Sequence, residues 1–242
     1  MKLGIVGLGR MGDGMRERLR GAGHEVVGYD LNPEVSDAAS LEELVAALPS
    51  PRVVWLMVPA GDPTEQLVER VATLLADGDV VVDGGNSLYK DSIRRGKMLA
   101  ERSIRFVDAG TSGGIWGLRL GFCLMLGGDD DAIAVIEPAL ATLAPEDGYA
   151  HVGPSGAGHF TKMVHNGIEY GMMQKIADGF EIMTAKEEFD LDLAQIAEIR
   201  QEAIVVRCWL LNLTADALNE DADRTDIQAQ SLLHIRRCRR IK

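Results

Sequence analysis

A lysine, an asparagine and a glutamate lie within one largely apolar, helix-like segment at residues 156–171, GAGHFTKMVHNGIEYG. On a helix, Lys162, Asn166 and Glu169 are spaced i, i+4 and i+7, so their side chains project from one face. Desolvation disfavours the charged form of both an amine and a carboxyl group, so such a pair can supply a base and an acid on one rigid element. The alternative is a solvated helix face with an ordinary Lys/Glu pair, and the segment alone leaves both open.

A glycine-rich turn near the amino end predicts a nucleotide site. An apolar run at residues 2–6 leads into GLGRMG, a helical pattern follows, and a second predicted strand at 25–29 ends at Asp30. In this context the first glycine permits a tight turn, the second lets the backbone approach a pyrophosphate, and the third lets the helix pack on the strand. The predicted cofactor contacts of the turn are Gly7, Gly9, Arg10, Met11 and Gly12. A glycine turn without a ligand is the alternative.

The residues after the second strand favour NAD over NADP. Asp30 is placed to accept hydrogen bonds from the adenosine ribose, and Leu31 and Asn32 follow it with no arginine close by. A carboxylate there would repel a 2′-phosphate, and nothing basic is placed to neutralise one.

Helix and strand patterns then alternate, which predicts an α/β fold: a Rossmann-type, doubly wound, mostly parallel sheet. The continuous apolar runs VVWLMV and DVVVD suit parallel strands covered on both faces. Open sheets of this kind bind ligands at the carboxyl ends of their strands. The candidates there are Val58, Pro59, Ala60 and Asn86 for the cofactor, and Asn86, Ser112, Gly113 and Gly114 for a substrate. Two alternatives stay open, a helix N-cap role for Asn86 and a hairpin turn for residues 110–117.

From Ala157 onward the pattern changes to helices without strands, the first of them extending to about Lys186. We therefore predict two domains, a dinucleotide-binding domain at 1–155 and an all-α substrate and dimerisation domain at 156–242. A helix of about 30 residues that is apolar on most sides needs cover, which predicts a homodimer or higher homo-oligomer. The basic stretch after Asp226 has no clean helical period and is interpreted as a frayed tail or a disturbed terminus.

Composition limits the classes of partner. A net charge of −12 argues against nucleic acid and anionic membranes. The three cysteines have no metal-type spacing, so no metal site is predicted and a reducing, cytoplasmic compartment is expected. No signal peptide is visible, and no apolar run approaches the roughly 18 residues that span a bilayer.

Taken together, these motifs resemble the 6-phosphogluconate dehydrogenase family, within the wider β-hydroxyacid dehydrogenase superfamily. The resemblance covers about residues 1–220 and rests on GLGRMG, on DGGNS at 83–87, on TSGG at 111–114 and on the 156–171 segment. Residues 115–117, IWG, differ from the acidic sequence of the long NADP enzymes and are similar to the short NAD-linked branch.

The resemblance implies roles for single residues. Lys162 would remove the proton of the 3-hydroxyl group and then hold the C3 oxygen during decarboxylation, and Glu169 would protonate C1 of the enediol. The implied substrate contacts are Asn86, Ser112, Gly113, Gly114, His165, Asn166 and, at the phosphate, Tyr170. A core or helix-packing position remains the alternative for His165.

The implied activity is the oxidative decarboxylation of 6-phosphogluconate, a phosphorylated sugar acid, to ribulose 5-phosphate with reduction of NAD. Family members continue well past position 242, so the resemblance also implies a shortened C-terminal domain. Two alternatives follow: a dehydrogenase of another 3-hydroxy acid, and a dinucleotide-binding protein without turnover.

Overall fold

The computed structural model describes residues 1–202 and 205–220. The chain divides into two compact units, Met1–Asn166 and Gly167–Lys242. This division falls inside the long helix, whereas the sequence predicts a boundary where that helix begins. The stretch after Asp226, predicted as a frayed tail or a disturbed terminus, lies outside the described residues.

In the described part of the first unit, seven strands form one sheet in the order β2-β1-β3-β4-β5-β6-β7. The strands are β1 (Lys2–Val6), β2 (Glu25–Tyr29), β3 (Val53–Leu56), β4 (Val80–Asp83), β5 (Arg105–Ser112), β6 (Cys123–Gly128) and β7 (Tyr149–Gly153). Neighbouring strands run parallel except β5 and β6, which are antiparallel. The predicted doubly wound, mostly parallel sheet is confirmed.

Strand β3 shows why this sequence forms a sheet covered on both faces. All four of its residues are buried, and successive side chains point to opposite faces. Val53 and Trp55 pack into one apolar core, while Val54 and Leu56 pack into the other. A continuous apolar run is therefore what this position in the sheet requires.

Six helices precede α7 in the first unit, and five of them pack on the two faces of the sheet. They are α1 (Arg10–Gly21), α2 (Leu41–Ala46), α3 (Asp62–Ala72), α4 (Tyr89–Ala100), α5 (Gly117–Leu120) and α6 (Asp130–Leu143). Helices α1 and α6 contribute to the core that contains Trp55, and α2, α3 and α4 contribute to the core that contains Leu56. The spacing of Met15 and Leu19, four residues apart, puts both on the buried side of α1, where neither is exposed.

Within residues 157–202 and 205–220, the all-α part predicted from residue 157 contains three α-helices. They are α7 (Ala157–Ala185), which has 29 residues, α8 (Leu193–Ile199) and α9 (Trp209–Glu220). The second unit has a small core of its own, formed by Phe180, Ala197, Ala215 and Leu218. Across the described ranges, no helix combines the length and apolar character needed to cross a membrane.

Candidate active site

The glycine turn after β1 is packed so tightly that two of its glycines have no room for a side chain. Gly7 has φ +93°, and a Cβ on it would lie 2.5 Å from the carbonyl oxygen of Met57. A Cβ on Gly12 would lie 2.0 Å from the carbonyl oxygen of Gly7. Gly9, the N-cap of α1, has nothing within 4 Å of such a position. The turn is thus closed on its protein side and open beside the N-terminus of α1, where an anion is favoured.

Asp30 connects the end of β2 to this turn. Its Oδ2 accepts a hydrogen bond from the Leu8 amide at 2.7 Å, and its Oδ1 accepts one from the Asn32 amide at 2.9 Å. Beside it lies an open cavity of about 390 Å³, lined in part by Tyr29, Leu31 and Ala38. The position predicted for Asp30 is therefore compatible with a nucleoside, and the carboxylate also has a structural role that sequence reasoning missed.

The order of the strands explains why the glycine turn after β1 lies next to residues 58–60 after β3. Strand β1 lies between β2 and β3, so the connections from β1 and β3 leave the sheet on opposite sides. Val58 is next to the turn, since a Cβ on Gly7 would lie 3.0 Å from its Cγ1. The carbonyl of Pro59 accepts a hydrogen bond from the Thr64 hydroxyl at 2.8 Å, and Ala60 is exposed. The glycine turn, open space and nearby carboxylate fit a dinucleotide.

The first turns of α7 lie against β5 because two glycines leave room for the contact. A Cβ on Gly158 would lie 2.4 Å from the carbonyl oxygens of both Asp108 and Met125. A Cβ on Gly110 would lie 2.6 Å from the Cβ of Lys162. Lys162 is buried, with 8% of its surface exposed. The alternative of a fully solvated helix face is therefore wrong for this lysine.

Residue alternation along β5 places Ser112 on the same side. Asp108, Gly110 and Ser112 are two residues apart, so they share one face of the strand. The first turns of α7 contact Asp108 and then Gly110, which leads towards Ser112 at the carboxyl end. Strand β5 continues to Ser112, because residues 110–112 pair with β6. The two strands are antiparallel neighbours, as in a hairpin, but the residues that join them are 113–122 and include helix α5, so a simple turn over 110–117 is not what is found. Ser112 is the last residue of β5 and lies at the carboxyl end of that strand.

The surroundings of Asn86 decide against one of its two predicted roles, which were a ligand contact and a helix N-cap. Its Oδ1 accepts a hydrogen bond from Nδ2 of Asn166 at 3.3 Å. Helix α4 begins at Tyr89 with Leu88 as its N-cap. The N-cap alternative for Asn86 is therefore wrong, and the contact joins the end of β4 to α7 within the first unit.

The remaining predicted residues differ in their surroundings. His165 is exposed in the single chain, so it does not lie in the core of its own chain, whereas the alternative of a helix-packing histidine stays a prediction. Gly113, with φ +129°, and Gly114, with φ +51°, have backbone conformations that favour glycine. Glu169 is half-buried and Tyr170 is exposed, and both belong to the second unit.

A buried charge network that the sequence did not reveal holds the loop that carries Asn86. Arg95 and Asp83 are each 1% exposed, and Arg95 Nη1 lies 3.2 Å from Asp83 Oδ2. Arg95 Nε also donates to Glu65 Oε2 at 2.8 Å, and Asp83 Oδ1 accepts from the Gly85 amide at 3.1 Å. The only sign of this network in the sequence is the polar end of β4. Glu65 and Arg95 are residue types that are common on solvated helix surfaces, so the sequence does not predict their contact.

This network predicts a specific loss of stability in acid. Hydrogen bonds from Arg94, followed by those from Arg95, lower the pKa of Glu65 from 4.5 to about 2, although burial acts in the opposite direction. A lowered carboxyl pKa stabilises the folded state above pH 4.5, and that contribution is lost as the pH falls towards about 2. Glu65→Gln should therefore flatten the dependence of unfolding free energy on pH in that window, as measured by urea unfolding.

The exposed Glu69, on the same helix, provides the control, because Glu69→Gln should leave this pH dependence in place. If the unfolding free energy of Glu65→Gln depends on pH as steeply as that of the unmodified protein, the ion pairs of Glu65 with Arg94 and Arg95 do not contribute to stability.

A glycine turn at the switch point of a doubly wound sheet, with a carboxylate after β2, defines a dinucleotide-binding protein of the Rossmann class. Residues 2–153 match the family model described as the NAD binding domain of 6-phosphogluconate dehydrogenase, and residues 158–235 match the model of the C-terminal domain of the same enzyme. The chain belongs to the 6-phosphogluconate dehydrogenase family, whose members are oxidoreductases.

Individual relatives agree with this assignment. An NAD(+)-dependent, decarboxylating 6-phosphogluconate dehydrogenase of Haloferax volcanii is 43% identical, over 91% of this chain and 76% of that protein. The enzyme of the same name from Bacillus subtilis is 36% identical, over 92% of this chain and 51% of that protein. The chain thus spans about half the length of the longer relatives.

A solved structure shows the same fold. The 6-phosphogluconate dehydrogenase of Plasmodium falciparum, described in its apo form, with its cofactor NADP+ and with its substrate 6-phosphogluconate, matches with a TM-score of 0.82 and 28% identity. The match covers 94% of this chain and 52% of that one.

Proposed function

We propose that this dehydrogenase catalyses the oxidative decarboxylation of 6-phosphogluconate to ribulose 5-phosphate with NAD. The observation that carries the proposal is the buried Lys162 beside Gly110, on a helix joined through Asn166 to Asn86 at the carboxyl end of β4. The names of the Haloferax volcanii and Bacillus subtilis relatives support the same substrate and cofactor.

In this proposal Lys162 is the proton acceptor for the 3-hydroxyl group of the sugar acid. A lysine amine in its neutral form can accept this proton, which is the role that the family resemblance implies. The bound NAD supplies the hydride acceptor. Once protonated, Lys162 donates a hydrogen bond to the new C3 carbonyl oxygen, so that negative charge developing there is stabilised as the C1 carboxylate leaves as CO₂.

The other assignments rest on the family resemblance. Glu169 donates a proton to C1 of the enediol that decarboxylation leaves. Asn86, Ser112, Gly113, Gly114, His165 and Asn166 are the proposed contacts of the sugar acid, and Tyr170 is a proposed contact of its phosphate. Helix α7 carries four of these side chains.

One experiment on one sample tests the proposal. NAD binding is measured by calorimetry, and NADH formation is followed with 6-phosphogluconate and with 3-hydroxyisobutyrate. We expect NAD to bind and only the phosphorylated acid to be oxidised, with release of CO₂. Oxidation of 3-hydroxyisobutyrate alone would favour a dehydrogenase of small 3-hydroxy acids, and NAD binding without oxidation of either would favour a binding protein.

The cofactor preference gives a further prediction. A 2′-phosphate beside the Asp30 carboxylate would place like charges within a few ångströms, and each 1.4 kcal/mol of lost binding lowers affinity about tenfold. NAD should therefore bind at least about tenfold more tightly than NADP. Asp30→Asn should narrow this difference, as measured by titration with both dinucleotides.

Asp62→Asn, an exposed carboxylate at the start of α3, is the control and should leave the ratio unchanged. Tighter binding of NADP by the unmodified protein would contradict the assignment.

We also propose that the protein forms a homodimer through its helical part. Within the second unit, α7 exposes Ile168, Met173 and Ile182, at 60%, 41% and 72% of their surfaces. Burying an isoleucine contributes about 1.5–3 kcal/mol, so Ile182→Glu should weaken self-association by at least about tenfold. Sedimentation at micromolar concentration measures this, with the exposed neighbour Glu181→Gln as the control. A folded monomer of 26.2 kDa in the unmodified protein would exclude the dimer.

A further inference from the structure

A buried carboxylate lies under the first turn of α7, away from the residues assigned to the reaction. Asp108 is fully buried on β5, and its side chain points towards the start of the helix. Its Oδ1 accepts a hydrogen bond from the Gly156 amide at 2.6 Å, and its Oδ2 accepts one from the His159 amide at 2.8 Å. Helix N-termini leave amide groups without intrahelical partners, and this carboxylate satisfies two of them.

A glycine in the neighbouring strand β6 leaves room for the Asp108 carboxylate and its hydrogen bonds. Residue 127 of β6 is paired with Asp108, and a Cβ on Gly127 would lie 2.5 Å from Asp108 Oδ1. Burial raises the pKa of Asp108 above its ordinary value, and the hydrogen bonds from the Gly156 and His159 amides act in the opposite direction. The carboxylate is therefore tied to the helix and has little room to move.

A second contact fixes the same turn from the side of α4. The His159 ring is 1% exposed, and its Nδ1 lies 2.7 Å from the hydroxyl oxygen of Ser92. The same nitrogen is 4.0 Å from Asp108 Oδ2. Strand β5 and helix α4 thus hold one turn of α7 between them.

We propose that Asp108 is a positioning residue for Lys162: by binding the first turn of α7, it sets where the lysine side chain enters the site. The inference rests on the proposed role of Lys162 as the base. Lys162 lies one helical turn beyond Gly158, and its Cβ faces Gly110, two residues after Asp108 on the same strand face. A small displacement of the turn therefore moves the lysine relative to a substrate at the strand ends.

The test compares two buried aspartates. Asp108→Asn loses the charge and one acceptor at the start of α7, so kcat should fall about 10- to 100-fold, the scale of a misplacement of about 1 Å. The affinity for NAD should not change. Asp79→Asn is the matched control. Asp79 is 1% exposed and, like Asp108, accepts hydrogen bonds from two backbone amides, those of Arg52 and Ala76. It directly precedes β4, so it lies at the amino ends of the strands, away from α7 and the proposed site. Asp79→Asn should lower the melting temperature and leave kcat unchanged.

Hydrogen exchange supplies a readout that needs no turnover. Amides of residues 158–166 should exchange faster in Asp108→Asn than in the unmodified protein, and Asp79→Asn should leave them protected. If the unmodified protein does not oxidise 6-phosphogluconate, the proposed function fails, and the exchange measurement alone decides whether Asp108 holds this turn. Unchanged exchange, a normal kcat in Asp108→Asn, or an equal loss of kcat in both variants would overturn the inference. Should Asp108→Asn not fold, Ser92→Ala replaces it, with the same expected direction of change.

Discussion

Lys162→Ala is expected to abolish NADH formation from 6-phosphogluconate while leaving NAD affinity unchanged. A well-placed acid or base contributes about 10²- to 10⁴-fold to a rate, so kcat should fall by at least about 10²-fold. The affinity for NAD should persist because the predicted cofactor contacts lie in the glycine turn and after β2, β3 and β4, and none of them is on α7. Steady-state kinetics and calorimetry on the same preparation measure the two effects.

Two further variants sharpen this comparison. Lys175→Ala removes a lysine from the same helix, 82% exposed and paired with Asp178 at 3.0 Å, and should leave kcat unchanged. Glu169→Gln should allow hydride transfer and CO₂ release but slow the protonation of C1. Near-normal turnover in Lys162→Ala would make the lysine structural, and normal rates in both Lys162→Ala and Glu169→Gln would remove the acid–base scheme.

The second large effect is expected in the glycine turn, where Gly12→Ala and Gly9→Ala should fail in different ways. A Cβ at position 12 would lie 2.0 Å from the carbonyl oxygen of Gly7, and a backbone atom cannot move aside as a flexible side chain can. The loss of stability should reach the upper end of the about 1–3 kcal/mol typical of overpacked sites, or exceed it. Urea unfolding measures this loss.

Gly9→Ala is the matched partner of that variant. No atom lies within 4 Å of a Cβ at position 9, and φ there is −67°, which alanine adopts readily. Stability should change by no more than about 1 kcal/mol, the scale of an N-cap substitution. NAD affinity should fall about tenfold or more, because the methyl group would occupy the space left for the pyrophosphate. Unchanged NAD affinity in a folded Gly9→Ala protein would show that the phosphates do not approach this turn.

Much of this protein follows from local pattern. The apolar run of β3 predicts a strand covered on both faces, and the spacing of Met15 and Leu19 predicts the buried side of α1. The spacing of Lys162, Asn166 and Glu169 predicts one helix with a polar stripe, and α7 begins at the predicted residue. These features depend on residues that are close in sequence, so periodicity records them directly.

Contacts between residues far apart in sequence could not be inferred in this way. The sequence left Asn86 between an N-cap and a ligand contact, and the hydrogen bond to Asn166, 80 residues away, decided against the N-cap. The Arg95–Asp83 pair and the contact of Asp108 with the start of α7 depend on which strands are neighbours and on which face each side chain lies. The sequence by itself determined the helices and strands and the candidate chemical groups. Only the tertiary structure decided how α7 and Lys162 are held, because the burial of a charged group depends on the assembled sheet and helices.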